Sequence, residues 1–544
     1  MTAFTGTGRL IRLALRRDRI KLPVWILATV GIIASGIPAL KEFYATAEQQ
    51  IQYASTTAPS MVSRLFAGPV DGANMGSIVM VEYFLFVAVV IAFMSTLTVI
   101  RHTRQNEEKG RSELIGSAVV GRHAALTAAL VVAVGSSILA SVLIALIVSS
   151  NGLPTDGAWA MALAFGGIGI VFAGVAAVTA QLVESGRAAN ALAAAGIGLA
   201  FLFRAIGDAL GNVAENGLSV TSIWPSWLSP IGWGQQMHPF TDITWWPLAL
   251  YGILFAVLVT AAFYLTASRD VGLGLFPARR GPASAPRGLL SSVGLAWRLQ
   301  KGTLIGWGIG VGIMSAMMGV TAVEFESFFT ENEDYAEILS ALGGGAEAQY
   351  TDLFFAGMMG FLAFLIAAYS LHALMRLRSE ETNIHLEPVL ATGVSRYRWL
   401  LSHTGLVVAG SIALSAVAGI LTAVTYILVS DAAWSEIWPI VGAAFVQLTA
   451  VLALIGMAVA FFGLLPRLMV MLTWTVFAAC YLVLQFGMIL KLPQWVLNLS
   501  PFTHTPSVPA ESIAWTPILA LLGAAILLSA LGIAAFRRRD VTNS

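Results

Sequence analysis

Twelve runs of about 20 predominantly apolar residues, the length a helix needs to cross a bilayer, divide this chain of 544 residues. In the first half they fall near 22–40, 77–100, 124–149, 159–183, 190–206 and 246–267. In the second half they fall near 303–323, 351–374, 399–429, 437–465, 468–490 and 515–536. Ala, Leu and Gly dominate them, with little of the polar–apolar alternation of barrel strands, so they predict helices. Composition agrees. Hydrophobic residues make up 57% of the chain and charged residues 11%, against about 45–50% and about 25% in soluble proteins. So few charges could not cover a soluble surface. The expected fold class is an all-α polytopic membrane protein with twelve spans. A soluble enzyme, a nucleic-acid binder and a disordered scaffold are excluded.

The charges set the orientation. With the amino terminus inside, 26 of the 30 basic residues fall on inner segments; only Lys41, Arg64, Arg204 and Lys491 do not. That skew predicts both termini on the cytoplasmic side and an even number of spans. The outer segments 42–76, 208–245 and 324–350 are mildly acidic or rich in Trp and Pro. The longest inner segment, 268–302, is too small for a catalytic domain.

The chain also matches itself. Arg16, Arg19 and Trp25 correspond to Arg298, Lys301 and Trp307. Glu107-Glu108, Glu113 and Arg122 correspond to Glu380-Glu381, Glu387 and Arg396, with one residue inserted in the second copy. Leu228-Ser229-Pro230 corresponds to Leu499-Ser500-Pro501, and Arg269-Asp270-Val271 to Arg539-Asp540-Val541. Four matches in one order predict two six-span halves. An even-numbered repeat keeps its orientation, so their axis should lie along the membrane normal. The expected organisation is an interfacial helix (1–21), a first half (22–267), a linker with a second connecting helix (268–302), a second half (303–536) and a tail (537–544).

Catalytic chemistry is not legible. The phosphate-cradling G-x-x-x-x-G-K-[ST] loop is absent, as are an LSGGQ-like segment, a dinucleotide fingerprint and H-E-x-x-H. The single cysteine, Cys480, and the seven histidines form no zinc spacing. No catalytic residue, metal site or cofactor is assigned to this chain. If ATP drives it, the ATPase is another polypeptide.

The most informative inner segments are 101–123 and 376–398, each between the second and third spans of its half. Arg104–Glu108, Glu107–Arg111 and Lys109–Glu113 stand four residues apart, so one short helix could carry all three pairs. The second copy offers Arg378, Glu380, Glu381, Glu387 and Arg396. Read singly, each segment is a solvated helix end. Repeated, and followed by Leu114-Ile115 or Val389-Leu390, both suit docking to a partner.

These loops, Trp227–Trp233 (W-L-S-P-I-G-W) and the R-D-V close of each half give the chain its family resemblance. It resembles the membrane permeases of type-2 ABC exporters, in the fused two-copy actinobacterial form linked to tetronasin-type polyketide antibiotic and multidrug efflux. The resemblance implies a connecting helix before the first span and a coupling helix between spans two and three. It also implies re-entrant outer helices between spans five and six, and two copies of a separately encoded ABC ATPase carrying ATP and Mg. Arg104, Glu107, Glu108, Arg111 and Glu113, with Arg378, Glu380, Glu381, Glu387 and Arg396, would then contact that ATPase. The outer lid would include Trp224, Trp227, Pro230, Trp233 and Pro501. Lys109–Ser112 becomes Thr382–Leu386 in the second copy, so the two docking sites are expected to differ.

Segment 6–21 carries Arg9, Arg12, Arg16, Arg17 and Arg19 among apolar residues and should lie in the inner interface, near anionic headgroups. Glu82 and Asp352 lie near the outer ends of spans two and eight. They read either as acids at the mouth of a substrate cavity or as carboxylates settled at helix ends. Phe201, Phe203, Tyr481 and Phe486 offer an apolar drug surface or ordinary packing. Arg204 and Asp208 read as a local ion pair, and Gln181, Asn190, Gln447, Gln485 and His372 as path lining or bonds between helices. The expected function is export of hydrophobic or amphipathic compounds. The rivals are an ion-driven twelve-span carrier, whose basic loop after span two is missing, and a membrane-embedded lipid-modifying enzyme.

Overall fold

The computed structural model describes residues 2–270, 272–276, 281, 283–331, 350–430, 432–486 and 493–540. Among the described residues eleven helices are long and apolar enough to cross a membrane, and the chain is an all-α polytopic membrane protein. The remaining predicted run, 468–490, is helical over Met469–Phe486. Its apolar stretch Met469–Val483 is shorter than the eleven, and the end of the run lies outside the described residues. Among the described residues one two-residue ribbon, Asn212–Val213 against Val220–Thr221, interrupts the helical plan between the fifth and sixth spans. The chain divides into two units, Met1–Gly281 and Pro282–Ser544.

In the first unit Met75–His102 and Thr155–Leu182 are the most enclosed helices. Small residues let them approach their neighbours. Ser95 and Ser137 share a hydrogen bond of 2.9 Å between the second and third spans. Phe84 and Phe165 stack at 5.0 Å in the core. The second unit repeats the device, with Ser370 and Ser411 bonded at 2.7 Å. There the helices Ile437–Leu464 and Trp515–Arg538 touch backbone to backbone. A Cβ on Gly463 would stand 2.1 Å from the Gly532 carbonyl oxygen, and one on Gly532 2.3 Å from that of Val459. Only glycine permits this crossing, and it brings the end of the last helix beneath the core.

The two units begin differently. In the first, the helix Thr7–Arg17 ends in a turn before Lys21–Phe43 starts. Pro23 explains the break: its ring has no N–H to give the carbonyl of Arg19 and crowds it. In the second unit Ile305 stands at the matching position, counted from the two tryptophans. One helix then runs unbroken from Ser292 to Glu331, 40 residues, or roughly 60 Å.

Candidate functional site

The duplicated acidic loop and the duplicated R-D-V close meet in space. In the first unit Arg269 approaches Glu107 through both guanidinium nitrogens, Nη2 to Oε1 at 2.8 Å and Nη1 to Oε2 at 3.0 Å. Arg104, fully buried, adds a third bond to Glu107 Oε2 at 2.7 Å. It also donates Nε to the Ala180 carbonyl at 2.8 Å and Nη2 to that of Leu273 at 3.2 Å. Gln181 receives Arg269 Nε at 2.7 Å. In the second unit Arg539 holds Glu381 at 2.6 and 3.1 Å, and Arg378 holds it at 3.0 Å. The Arg539 guanidinium also lies 5.1 Å from the ring centres of Phe462 and Phe536. Each clasp ties the loop after the second span to the end of the last helix of its own unit. Arg122 and Arg396 reinforce the tie by donating to the Arg269 and Arg539 carbonyls.

This geometry corrects the register of the repeat. Glu107 corresponds to Glu381 and Arg104 to Arg378, so no residue is inserted. In that register Gly110 and Ile384 coincide, and both take positive φ, 66° and 62°. The chain turns there from the second span into a short helix, Arg111–Gly116 or Leu386–Ala391. The turn breaks the continuous helix that the charge spacing predicted. None of its three i,i+4 pairs forms among the described residues. Arg104 and Glu107 pair with each other, and Glu108 accepts the Gly186 backbone N–H at 3.0 Å. In the second copy Glu380 does take an i,i+4 partner, Arg376 at 2.7 Å. Arg111, Glu113, Leu114 and Glu387 face outward, and Leu114 is 77% exposed.

The amino-terminal helix docks on the same region. Arg17 Nη1 donates to Asn106 Oδ1 at 2.6 Å. Buried Asp18 forms an ion pair with Arg101 at 3.0 Å and a hydrogen bond with His102 at 2.5 Å. Burial alone would raise the Asp18 pKa. The His102 hydrogen bond, with the charges of His102, Arg101 and Lys21, outweighs burial and holds it below the ordinary value.

Between the fifth and sixth spans, Trp224–Leu228 forms a 3₁₀ turn and Pro230–Gln235 a short helix capped by Ser229. Ser229 accepts the Ile231 and Gly232 N–H groups and donates to Ala200 at 2.6 Å. Trp227 stacks on Trp246 at 4.9 Å, and Trp233 donates to the Trp227 carbonyl at 2.6 Å. Trp224 is exposed. Beneath this segment Arg204 and Asp208 form a buried ion pair at 3.2 Å. Asp208 also accepts Ser226 at 2.9 Å, and Arg204 donates to the Arg64 and Leu65 carbonyls. In the second unit Pro501 opens the turn Pro501–His504.

Of the residues read as path lining, several take local partners, whereas the buried Asn190 Oδ1 has none among the described residues. Exposed Glu82 accepts the Tyr53 hydroxyl at 2.7 Å. Phe201 lies under the Arg204 guanidinium at 5.0 Å, and Phe203 is partly exposed. Tyr481 packs at 5.2 Å on Phe364, which stacks on Phe477 at 4.1 Å. Asp352 is half-buried in the first turn of Tyr350–Thr382. The side chains of Phe486 and Gln485 lie outside the described residues. Gln181, Gln447 and His372 bond between elements, to Arg269, Thr505 and Trp307.

Residues 289–537 match a family described as the C-terminal domain of the multidrug efflux system permease Rv1217c. The chain is also 36% identical, over 541 residues, to the multidrug efflux system permease protein Rv1217c of Mycobacterium tuberculosis. That alignment spans 99% of this chain and 96% of the relative. The chain belongs to this permease family. Sequence reasoning did not join Arg269 and Arg539 to the charged loops. The available signal was that two motifs of opposite charge recur together at the inner ends of both halves.

Proposed function

We propose that the chain is the membrane subunit of an ATP-driven exporter of hydrophobic or amphipathic drugs. It would comprise twelve spans in two halves with both termini inside, and separately encoded ABC ATPase subunits would supply hydrolysis. The family supports drug efflux, and the lack of a phosphate-cradling loop in the sequence favours a separate ATPase as the source of hydrolysis. The observation that carries the coupling mechanism is the repeated clasp. In each unit a short outward-facing helix sits on a loop held by Glu107–Arg269 or Glu381–Arg539. The exposed Arg111, Glu113 and Leu114, and Glu387 in the second copy, form the ATPase contact. Arg104, Glu107, Arg378 and Glu381 pass its movement to the last helix of their half. Because Arg111 and Leu114 become His385 and Pro388 in the corrected register, the two contacts are unequal.

Drug efflux from intact cells tests this. The chain expressed with its cognate ABC ATPase should export, with vanadate stopping export and a protonophore sparing it. The purified chain alone should neither bind nor hydrolyse ATP. Leu114→Asp should reduce ATPase co-purification while leaving the spans folded. Efflux without the ATPase, abolished by a protonophore, would establish the ion-driven reading instead.

A further inference from the structure

In the first unit an apolar groove of about 550 Å³ lies between the helix Thr7–Arg17, the first span and the third span. Leu27, Val131 and Leu139 line it, each about half exposed or more. Along the third span the lining runs from Val131 to Leu143, roughly 18 Å of helix. That is close to the hydrocarbon depth of one leaflet, about 15 Å.

The groove becomes basic where it meets the amino-terminal helix. Arg19 closes it, and an adjoining shallow cavity that shares Ile11, Leu15 and Arg19 adds Arg12 and Arg16. Among the described residues none bonds to Arg12, Arg16 or Arg19. Their neighbours are committed: Arg17 to Asn106, and Asp18, the one acid in the groove lining, to Arg101 and His102. Three guanidiniums thus stand at the head of an apolar channel with no protein charge against them. Guanidinium binds phosphate through paired N–H donors, and basic interfacial helices attract anionic lipid.

We propose that this groove is a site for one anionic phospholipid, with an acyl chain along Leu27, Val131 and Leu139 and its phosphate on Arg12, Arg16 and Arg19. The site requires a membrane-spanning fold and no particular orientation of the termini, ATPase or transported drug.

Native mass spectrometry of the purified full chain, incubated with equal phosphatidylglycerol and phosphatidylcholine, tests it. One phosphatidylglycerol should be retained in preference, on the order of fivefold for each arginine engaged. Combined Arg12→Gln, Arg16→Gln and Arg19→Gln should bring the ratio to about one. Arg9→Gln, outside the lining, should leave the preference intact. A Cβ on Gly135 meets open space, so Gly135→Trp should fill the groove and release lipid; Leu139→Trp gives a second block if the first variant aggregates. Equal retention of the two lipids would overturn the proposal. So would loss with Arg9→Gln matching that of the triple variant, retention unchanged in a folded groove-blocking variant, or a groove occupied by drug with no phosphatidylglycerol retained.

Discussion

Glu381→Gln should destabilise the second unit by about 3–4 kcal/mol, within the range for breaking a buried ion pair. Glu381 has no exposed side-chain surface and accepts three charge-assisted bonds, two from Arg539 and one from Arg378. Each such bond contributes about 1.5–3 kcal/mol, so a plain sum would overshoot. Glutamine keeps one acceptor oxygen, and Arg539 retains its place against the Phe462 and Phe536 rings. What remains is the cost of two guanidiniums left without a counter-charge. Glu107 is 16% exposed, so water replaces part of what it loses, and Glu107→Gln should cost about 1–3 kcal/mol. Denaturant unfolding in mixed micelles of Glu381→Gln, Arg539→Gln and the double variant measures the coupling, expected near 2–4 kcal/mol. A single-variant cost below about 1 kcal/mol, typical of an exposed pair, would refute the enclosure argument. A cycle that closes to within about 0.5 kcal/mol of zero would refute the pairing.

Ile384 holds φ of 62°, a strain of about 1–2 kcal/mol for a residue bearing a Cβ. Ile384→Gly should therefore raise stability by up to about 1 kcal/mol after the added unfolded-chain freedom, and a measured loss would remove the strain argument. Gly532→Leu should abolish monodisperse protein on size exclusion, because its Cβ would stand 2.3 Å from the backbone carbonyl of Val459; an unchanged melting temperature would contradict the close crossing. Between the fifth and sixth spans His238 Nδ1 pairs with Asp71 at 2.7 Å. That hydrogen bond, against the opposing effect of burial and aided by the charges of Asp71 and Asp242, raises the His238 pKa. Its contribution is full below the ordinary imidazole pKa of about 6.5 and lost as pH rises through the raised folded value. The melting-temperature advantage of wild type over Asp71→Asn should therefore shrink from pH 6 towards pH 9, and a flat difference would exclude the pairing.

Helix positions were legible because a bilayer admits few alternatives: an apolar run of the right length has to be a helix. Charge asymmetry and repeated motifs were legible for the same reason. The partners of charged residues were not. Spacing on an ideal helix assigned Glu107 to Arg111, but Gly110 turns the chain and sends Glu107 to Arg269, 162 positions away. Long-range pairing depends on where the last helix ends, and that is set by the Gly463–Gly532 crossing in one unit. In the other, Tyr251 and Leu258 side chains face Gly167 and Gly174. The first helix is broken in one unit and unbroken in the other, and at the break the sequence places Pro23 where the second copy has Ile305. Pairing Arg204 with Asp208 needed no tertiary knowledge, since both lie one turn apart on one helix.

The two units keep one chemistry at the loops after their second spans and diverge near the repeated Leu-Ser-Pro. The positions matching Arg204 and Asp208, counted from the repeated Leu-Ser-Pro, are Thr475 and Ala479, and no ion pair can form there. Phe502, which follows Pro501, instead packs 5.7 Å from Phe364 in an aromatic group. At the loop after the second span both units hold one carboxylate between two arginines, one of them bidentate. A bidentate pair fixes orientation as well as distance, whereas apolar contact alone lets a loop slide or rotate over its neighbour. The clasp therefore fixes the orientation of a surface loop against the end of a membrane helix. Exchanging the charges, Glu381→Arg with Arg539→Glu, restores attraction but reverses the local field on Arg378, leaving two like charges beside each other. Such a swap should recover only part of the coupling, and a full recovery would mean that Arg378 contributes nothing to the link.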